Sequence, residues 1–278
     1  MSAAGGLDPI VIAARLVLLD ALEAVGSQRD ALILVGAQAI HLQTGPSTLA
    51  VAEYTRDADL AIDTERIASE PKLDAVLDAA GFVRGDQPGT WTSTRRTSKQ
   101  DPVPVDFLVA ETMAGRPGRR SANVPGQPEH SARQVRGLEG ALVDHDVMSL
   151  RALSDDPRSF DLRVAGPAAL IVAKVHKISE RADTRRVRDK DALDIYRLLR
   201  ALEPHELGVR FARLRAAPVS AEPTERAVTE FRSLFGSSRA PGVDMIVSAT
   251  SGLEPEDEVR RSAVALAEDL IAVIGRST

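Results

Sequence analysis

The stretch Thr55-Arg56-Asp57-Ala58-Asp59 decides the predicted fold, because it sets two acidic residues two positions apart just before an apolar run, Leu60-Ala61-Ile62. Side chains two positions apart on a strand point to the same face of a sheet. Asp57 and Asp59 should therefore present two carboxylates from one face, an arrangement that suits a hard cation such as Mg²⁺. The plain alternative is a pair of surface aspartates at the start of a strand, since Asp is common near turns.

A glycine turn precedes this stretch in the segment Leu34-Val35-Gly36-Ala37-Gln38. It follows a wholly apolar run, Ala31 to Val35, which predicts a buried strand, and it leads into a short helix predicted from Ala37 to Leu42. Glycine at a strand-to-helix turn lets backbone N–H groups approach a phosphate, and a helix N-terminus favours negative charge. Many such turns carry glycine for steric reasons alone, so Gly36 is a phosphate-binding candidate only in company with the aspartates.

A third acidic residue, Asp106, lies in the apolar run Val103 to Val109, which predicts another strand. Burying an unpaired carboxylate is costly, so Asp106 needs either a metal ion or a cationic partner. If its strand lies beside that of Asp59, three carboxylates converge. A salt bridge to a nearby arginine is the alternative, and the residues alone leave both readings open.

Basic residues recur at helical spacing further along the chain. Lys174, Lys177 and Arg181 are separated by three and four positions, so they share one face of a helix predicted from Ala168 to Arg181. Such a face can form a cationic wall for a triphosphate.

The following predicted helix, Lys190 to Leu202, carries Asp191 and Asp194 on one face. Asp191 could orient a lysine or the nucleotide. The alternative for both helices is an amphipathic pair joined by surface ion pairs.

The chain as a whole has 278 residues, a formal net charge of −5 and no cysteine. Disulfides, cysteine-ligated zinc and thiol catalysis are therefore excluded. The acidic balance argues against a protein that coats nucleic acid nonspecifically, although a locally basic face remains compatible with it. Neither a secretory leader nor a membrane-spanning run is predicted, so we expect a cytoplasmic protein without a membrane partner.

The coarse organisation is α+β. Residues 1–166 are predicted to form a mixed sheet with flanking helices, and residues 167–278 a helical domain that completes the site. Further strands are expected between Val135 and Val164, and a loop from Met113 to Gln127. The other predicted elements are helices at Pro9–Ala24, Pro71–Ala80, Glu206–Leu214, Thr224–Phe235 and Asp257–Ile274, and strands at Asp57–Ile62 and Thr90–Thr94.

Taken in order, these features resemble the minimal nucleotidyltransferase fold, and within it the AbiEii/MenT-type nucleotidyltransferases of bacterial toxin–antitoxin systems. The order is a glycine turn, Thr-x-Asp-x-Asp on a strand, a later strand aspartate, a lysine-bearing helix and Lys-Asp-x-x-Asp. The resemblance extends over about Leu32 to Leu199. It is best at Thr55 to Ile62 and at Ala173 to Leu199, and the helices beyond Leu202 match no pattern of the family.

The resemblance implies a two-metal Mg²⁺ site. Asp57 and Asp59 would bind the metal, and Asp106 would share it or accept the proton of the acceptor hydroxyl. The hydroxyl of Thr55, two residues before the metal pair, should lie near the site.

The resemblance also implies a triphosphate contact. Lys174, or Lys177 as the second candidate, would neutralise the triphosphate of a bound NTP, with support from Arg181. Asp191 would be the late aspartate of the family, and Asp194 would pack nearby.

The chain departs from the family at the glycine turn. Where the family usually has Gly-Ser or Gly-Gly, this chain has Gly36-Ala37. Because Ala37 has no hydroxyl to bind a β- or γ-phosphate, the predicted phosphate contacts there are backbone N–H groups and Gln38. The departure bears on nucleotide binding more than on metal binding.

The implied activity is Mg²⁺-dependent transfer of NMP from an NTP to an acceptor hydroxyl, in which metal ions clamp the attacking and leaving oxygens. In the resembling toxins the acceptor can be the 3′ end of tRNA, and a cognate antitoxin protein is a further expected partner. Two alternatives stay open. One is transfer to a protein or a small molecule, and the other is a nucleotide-binding or partner-binding module with this fold and little catalysis.

Overall fold

The computed structural model describes residues 9–45, 57–94, 103–115, 119–180 and 185–276, except for the side chains of residues 185–188. Its strands are β1 (Leu32–Val35), β2 (Ala58–Ile62), β3 (Phe82–Arg84), β4 (Thr90–Ser93), β5 (Pro104–Ala110), β6 (Arg133–Val135), β7 (His145–Arg151) and β8 (Ser159–Ala165). Its α-helices are α1 (Pro9–Val25), α2 (Gly36–Thr44), α3 (Leu73–Ala79), α4 (Pro167–Glu180), α5 (Arg185–Ala201), α6 (Pro204–Ala216), α7 (Ala221–Phe235), α8 (Pro241–Thr250) and α9 (Glu256–Arg276).

The strands form one mixed sheet in the order β3-β4-β5-β2-β1-β8-β7, with β6 paired to β5. β1 is antiparallel to β2 and parallel to β8, whereas β2 and β5 are parallel. The carboxyl end of β1 therefore lies beside the amino ends of β2 and β5. The carboxyl end of β8 reaches the same end of the sheet and leads directly into α4.

The core forms where helices cover the sheet. All four residues of β1 are buried, as expected for a central strand whose sequence is wholly apolar. Helix α1 packs against β2, β5 and β8, and α2 packs against β1, β2 and β8. Among the described residues, no helix has both the length and the apolar composition needed to cross a bilayer.

Helices α4 to α9 pack on one another and remain attached to the sheet. Arg210 on α6 donates hydrogen bonds to Asp144 and Asp146, at 2.6 and 2.8 Å. The buried Asp144 carboxylate also accepts the backbone N–H of Ala169 in the first turn of α4. This carboxylate therefore joins a helix start, the sheet edge and a C-terminal helix.

The predicted α+β fold, a mixed sheet with flanking helices and a helical C-terminal region, is confirmed. Among the described strands and α-helices, three were not predicted, namely β3, β6 and α8. β3 and β6 have three residues each, too few for a visible alternation of apolar and polar residues. Helix α8 lies between turn residues, in a stretch for which the sequence pattern predicts no element. The division into domains at residue 166 stays a prediction.

Candidate active site

The predicted acidic residues meet where three strands lie side by side. Asp59 on β2 is the register partner of Val35 on β1 and of Asp106 on β5. Asp57 immediately precedes β2, two positions from Asp59. The sheet therefore brings all three acidic positions together, although Asp57 and Asp106 are 49 positions apart in the sequence.

Gly36 touches this cluster through its backbone. It begins α2 with φ +70°, a conformation that L side chains rarely adopt. A Cβ at this position would lie 2.1 Å from Oδ2 of Asp59. The glycine is needed both for the turn and for room beside the carboxylate.

Asp59 is the most perturbed acid of the site. Burial, with the Asp57 carboxylate and then that of Asp106, raises the pKa of Asp59 from 3.8 to about 7, against the opposing charges of Lys177 and Lys174. Within the described residues its carboxylate takes part in no ion pair. An acid held among other acids with no bonded cation is a favourable place for a metal ion.

Asp106 lies close to Asp59, but other groups use both of its oxygens. Thr90, its register partner on β4, donates its hydroxyl to Oδ1. Nη2 of Arg133 lies 2.7 Å from Oδ2. Asp106 therefore forms the salt bridge to an arginine that was the alternative to a metal ion. A metal-binding role for Asp106 stays a prediction.

The two candidate lysines of α4 differ in environment. Lys174 is buried, with a side chain 7% exposed, and its Nζ lies 2.7 Å from Asp191 and 2.6 Å from Asp194. Burial acts to lower the pKa of Lys174, but Asp194 and Asp191 outweigh it and raise this pKa above its usual value. Lys177 is 37% exposed and approaches Asp191 only to 3.4 Å. Lys177 therefore has the more accessible ammonium group.

Asp194 is held ionised by the same cluster. Burial would raise its pKa, but the charge and hydrogen bond of Lys174, together with the charge of Arg197, lower it. Asp191 uses Oδ1 to accept from Lys174, while its buried Oδ2 has no hydrogen-bond partner among the described residues. The predicted face shared by these two aspartates is therefore turned toward α4.

Gln38 supports the backbone of the site. Its Nε2 donates to the carbonyl oxygen of Asp57 at 3.2 Å, and its Oε1 accepts from the buried Arg15 at 2.9 Å. The side chain is 3% exposed and does not line the cavity described below. The amide thus holds the segment that enters β2, and a phosphate contact of Gln38 stays a prediction. Thr55 and Arg181, the other two predicted contacts, lie outside the described residues.

A cavity of about 390 Å³ opens beside Asp59, a volume within the range of small-molecule sites. Gly36 and Asp59 line it on the sheet side and Leu108, Leu138 and Leu170 are among its apolar residues. Its basic lining residues are Arg119, Arg120, Arg133, Arg136, Lys174 and Lys177. The cavity therefore combines one carboxylate of the acidic cluster with an excess of positive charge.

Not every cation in the cavity is equally available. Arg136 lies 2.8 Å from Glu111 and 3.4 Å from Glu180, so two carboxylates neutralise it. Arg120 donates to the side chain of Gln87. In the described ranges, no group of three or more His, Asp or Glu side chains is arranged to hold a metal ion.

Comparison with protein families matches the nucleotidyltransferase model over residues 15–217. This span is well over half of the chain and includes every site residue named above. The chain belongs to this nucleotidyltransferase family. It is therefore a transferase enzyme, and the family implies an NTP substrate. No curated protein was found to match the chain.

Sequence reasoning missed Arg133 and Thr90 of this nucleotidyltransferase. Arg133 is on a strand of three residues, and Thr90 opens a strand of four. Their contacts with Asp106 span 27 and 16 positions. The one available signal was the general need of a buried carboxylate for a partner, which does not say which arginine supplies it.

Replacing Gly36 with alanine should displace the Asp59 carboxylate. We expect Gly36→Ala to lower nucleotidyl transfer at least about 100-fold and to cost roughly 1–3 kcal/mol of stability, because the new Cβ meets Asp59 and φ is positive. Transfer rates and urea denaturation would measure the two effects.

Gly26→Ala is the matched control. Gly26 has φ +55°, and its Cβ would meet nothing within 4 Å. It should lose stability through backbone strain while keeping its transfer activity. Equal activity of the two variants would show that the space beside Asp59 is not needed.

Proposed function

We propose that this nucleotidyltransferase transfers NMP from an NTP to the 3′ end of tRNA in a Mg²⁺-dependent reaction, and that it is an AbiEii/MenT-type toxin of a toxin–antitoxin pair. One observation carries the proposal. The Asp59 carboxylate, the Gly36 turn, Lys177 and Arg133 line a single cavity. A nucleoside triphosphate requires this combination of an acidic metal site and a cationic phosphate site.

The residues present fit a divalent cation. Asp57 and Asp59 supply oxygen ligands, the donor type that Mg²⁺ prefers. The raised pKa of Asp59 reflects burial and then its acidic neighbours, and a cation would offset both. When bound, such an ion would supply charge neutralisation at the transferring phosphoryl group. Asp106 remains the third candidate ligand, but Arg133 and Thr90 would have to release it.

The chain's own residues would position the nucleotide. Lys177 offers the accessible ammonium for the triphosphate, and Lys174, fixed by two carboxylates, would hold α4 in place and add a second positive charge. Backbone N–H groups at the start of α2, after Gly36, would face phosphate oxygens. The acceptor oxygen would then form a bond to the α-phosphorus, the bond to pyrophosphate would break, and the hydroxyl proton would leave to solvent or a carboxylate.

The acceptor is proposed from the charge at the cavity rim. Arg119 and Arg120 are exposed and line the cavity, where they could bind the phosphates of an RNA end. The net charge of −5 disfavours a large RNA footprint. Recognition restricted to the 3′ end reconciles the two observations.

Incubation with each α-³²P-labelled NTP, Mg²⁺ and total tRNA tests the proposal. We expect label on tRNA with the wild-type chain, and at least a 1,000-fold loss with Asp57→Ala, because one metal-binding carboxylate is removed. Asp161→Ala is the matched control and should keep wild-type activity. It removes an exposed carboxylate near the amino end of β8, the end of that strand away from the cluster.

The same assay separates the alternatives. Label on protein or on small molecules, but not on tRNA, would replace the proposed acceptor. Nucleotide binding with no transfer to any acceptor would favour a binding module. For the toxin role, induced expression of the wild-type chain in bacteria should arrest growth, whereas Asp57→Ala should not.

A further inference from the structure

Arg133 stands out among the cations of the cavity because a single carboxylate holds it at one nitrogen. Its Nη2 binds Oδ2 of Asp106 at 2.7 Å. In the part of the chain that the structure describes, its other guanidinium nitrogens bond to no protein group. Arg133 also lines the cavity together with Asp59 and Lys177. It is therefore anchored on one side and available on the other.

The anchor is itself fixed by the sheet. Asp106 lies directly opposite Thr90 in the pairing of β4 with β5, and the Thr90 hydroxyl occupies its second oxygen. β6 pairs with the second half of β5, where Leu108 is the register partner of Arg133. Three paired strands thus determine where the guanidinium lies. An arginine held in this way loses little side-chain freedom when it binds a ligand.

A guanidinium with free N–H groups beside a phosphate site is suited to bind phosphate oxygens with two parallel hydrogen bonds. We propose that Arg133 binds the β- and γ-phosphates of the NTP, which become the pyrophosphate leaving group, and that Asp106 with Thr90 is its positioning device. This inference rests on the proposed nucleotide site. It gives Asp106 a role other than that of a third metal ligand.

Calorimetric titration of the full chain with pyrophosphate, and separately with NMP, tests this assignment without requiring an acceptor. We expect Arg133→Gln to weaken pyrophosphate binding about 10- to 100-fold, the loss of a charge-assisted bidentate contact, and to change NMP binding less than 3-fold. Asp106→Asn should weaken pyrophosphate binding by a smaller factor, because Arg133 remains but is no longer fixed. The double variant should resemble Arg133→Gln alone, since the two residues act through one contact.

Arg136→Gln is the matched comparison. Arg136 lines the same cavity but is neutralised by Glu111 and Glu180. Its loss should change pyrophosphate binding less than 3-fold. A general electrostatic effect of cavity arginines would instead give similar losses for both variants and would overturn the assignment to Arg133.

Two further results would overturn the proposal. One is that Arg133→Gln lowers NMP and pyrophosphate binding equally, as a merely structural role would. The other is that Asp106→Asn raises the Mg²⁺ concentration needed for activity and leaves pyrophosphate binding intact, as a metal ligand would. If tRNA is not labelled but pyrophosphate binding still depends on Arg133, the proposed acceptor is refuted and this inference is supported. Wild-type protein that binds neither NTP nor pyrophosphate would refute both.

Discussion

Asp59→Asn is expected to abolish nucleotidyl transfer, with a loss of at least about 1,000-fold, while the protein stays folded. Asn keeps the shape of the side chain beside Gly36 but removes the charge that would bind the cation. Steady-state transfer at saturating NTP, measured across Mg²⁺ concentrations, checks the result. Activity restored simply by more Mg²⁺ would mean that Asp59 contributes only weakly to metal binding.

The same variant should be more stable than the wild type when no metal is present. The folded protein keeps Asp59 protonated up to about pH 7, whereas an unfolded chain releases that proton near the ordinary value of 3.8. Because the folded state binds more protons between these values, rising pH lowers the free energy of unfolding of the wild type. This loss of stability from Asp59 is absent below pH 3.8, grows between pH 3.8 and about pH 7, and is complete above about pH 7.

The expected gain can be bounded. The difference between the folded and unfolded pKa of Asp59 limits the increase in the free energy of unfolding to about 4 kcal/mol. Because Asp59 is in contact with water in the cavity, we expect an increase of roughly 1–2 kcal/mol at pH 8. Urea denaturation in EDTA at pH 5 and pH 8 would measure it. Asp161→Asn, at an exposed position of the sheet, is the matched control and should leave the free energy of unfolding nearly unchanged. Unfolding of Asp59→Asn would instead assign Asp59 a structural role.

Lys174→Met should destabilise the protein by about 3–5 kcal/mol. It would leave Asp191 and Asp194 buried, 2% and 1% exposed, without the cation that each contacts most closely, and breaking a buried ion pair from one side carries a cost of this size. Urea denaturation measures the change directly. The loss of NTP binding that the sequence predicts for this lysine would then be accompanied by a loss of folding stability.

Lys177→Met is the matched comparison from the same helix. Its half-exposed ammonium makes a weak ion pair, so the stability change should stay within about 0.5 kcal/mol. NTP affinity should nevertheless fall about 10-fold, through loss of one charge-assisted phosphate contact. If Lys174→Met is as stable as the wild type but no longer binds NTP, then Lys174 and not Lys177 is the nucleotide-binding lysine.

Much of this site follows from local spacing. The period of two along a strand places Asp57 and Asp59 on one face, and the apolar run that ends at Gly36 predicts the strand-to-helix turn. Spacings of three and four predict the shared helix face of Lys174 and Lys177. Each of these features depends on the backbone geometry of one element. A single sequence therefore suffices to predict them.

Other features depend on which elements become neighbours. The sequence left open whether Asp106 binds a metal ion or an arginine. The pairing of β5 with β4 and β6 places Thr90 and Arg133 in contact with it. The contact between Gln38 and Arg15 likewise depends on the packing of α1 on the sheet, whereas a phosphate contact of Gln38 stays a prediction. Such contacts depend on strand order and register, which are chosen by burial over the whole chain and not by any one segment.

The sequence by itself determined the α+β class, the acidic strand and the glycine turn, because hydrogen-bonding periodicity and backbone sterics act over a few residues. Only the tertiary structure decided which lysine is buried between two aspartates, which one keeps an accessible ammonium group, and which arginine holds Asp106. The physical reason is that charge energies depend on distance and burial, and both are set when remote strands and helices pack together.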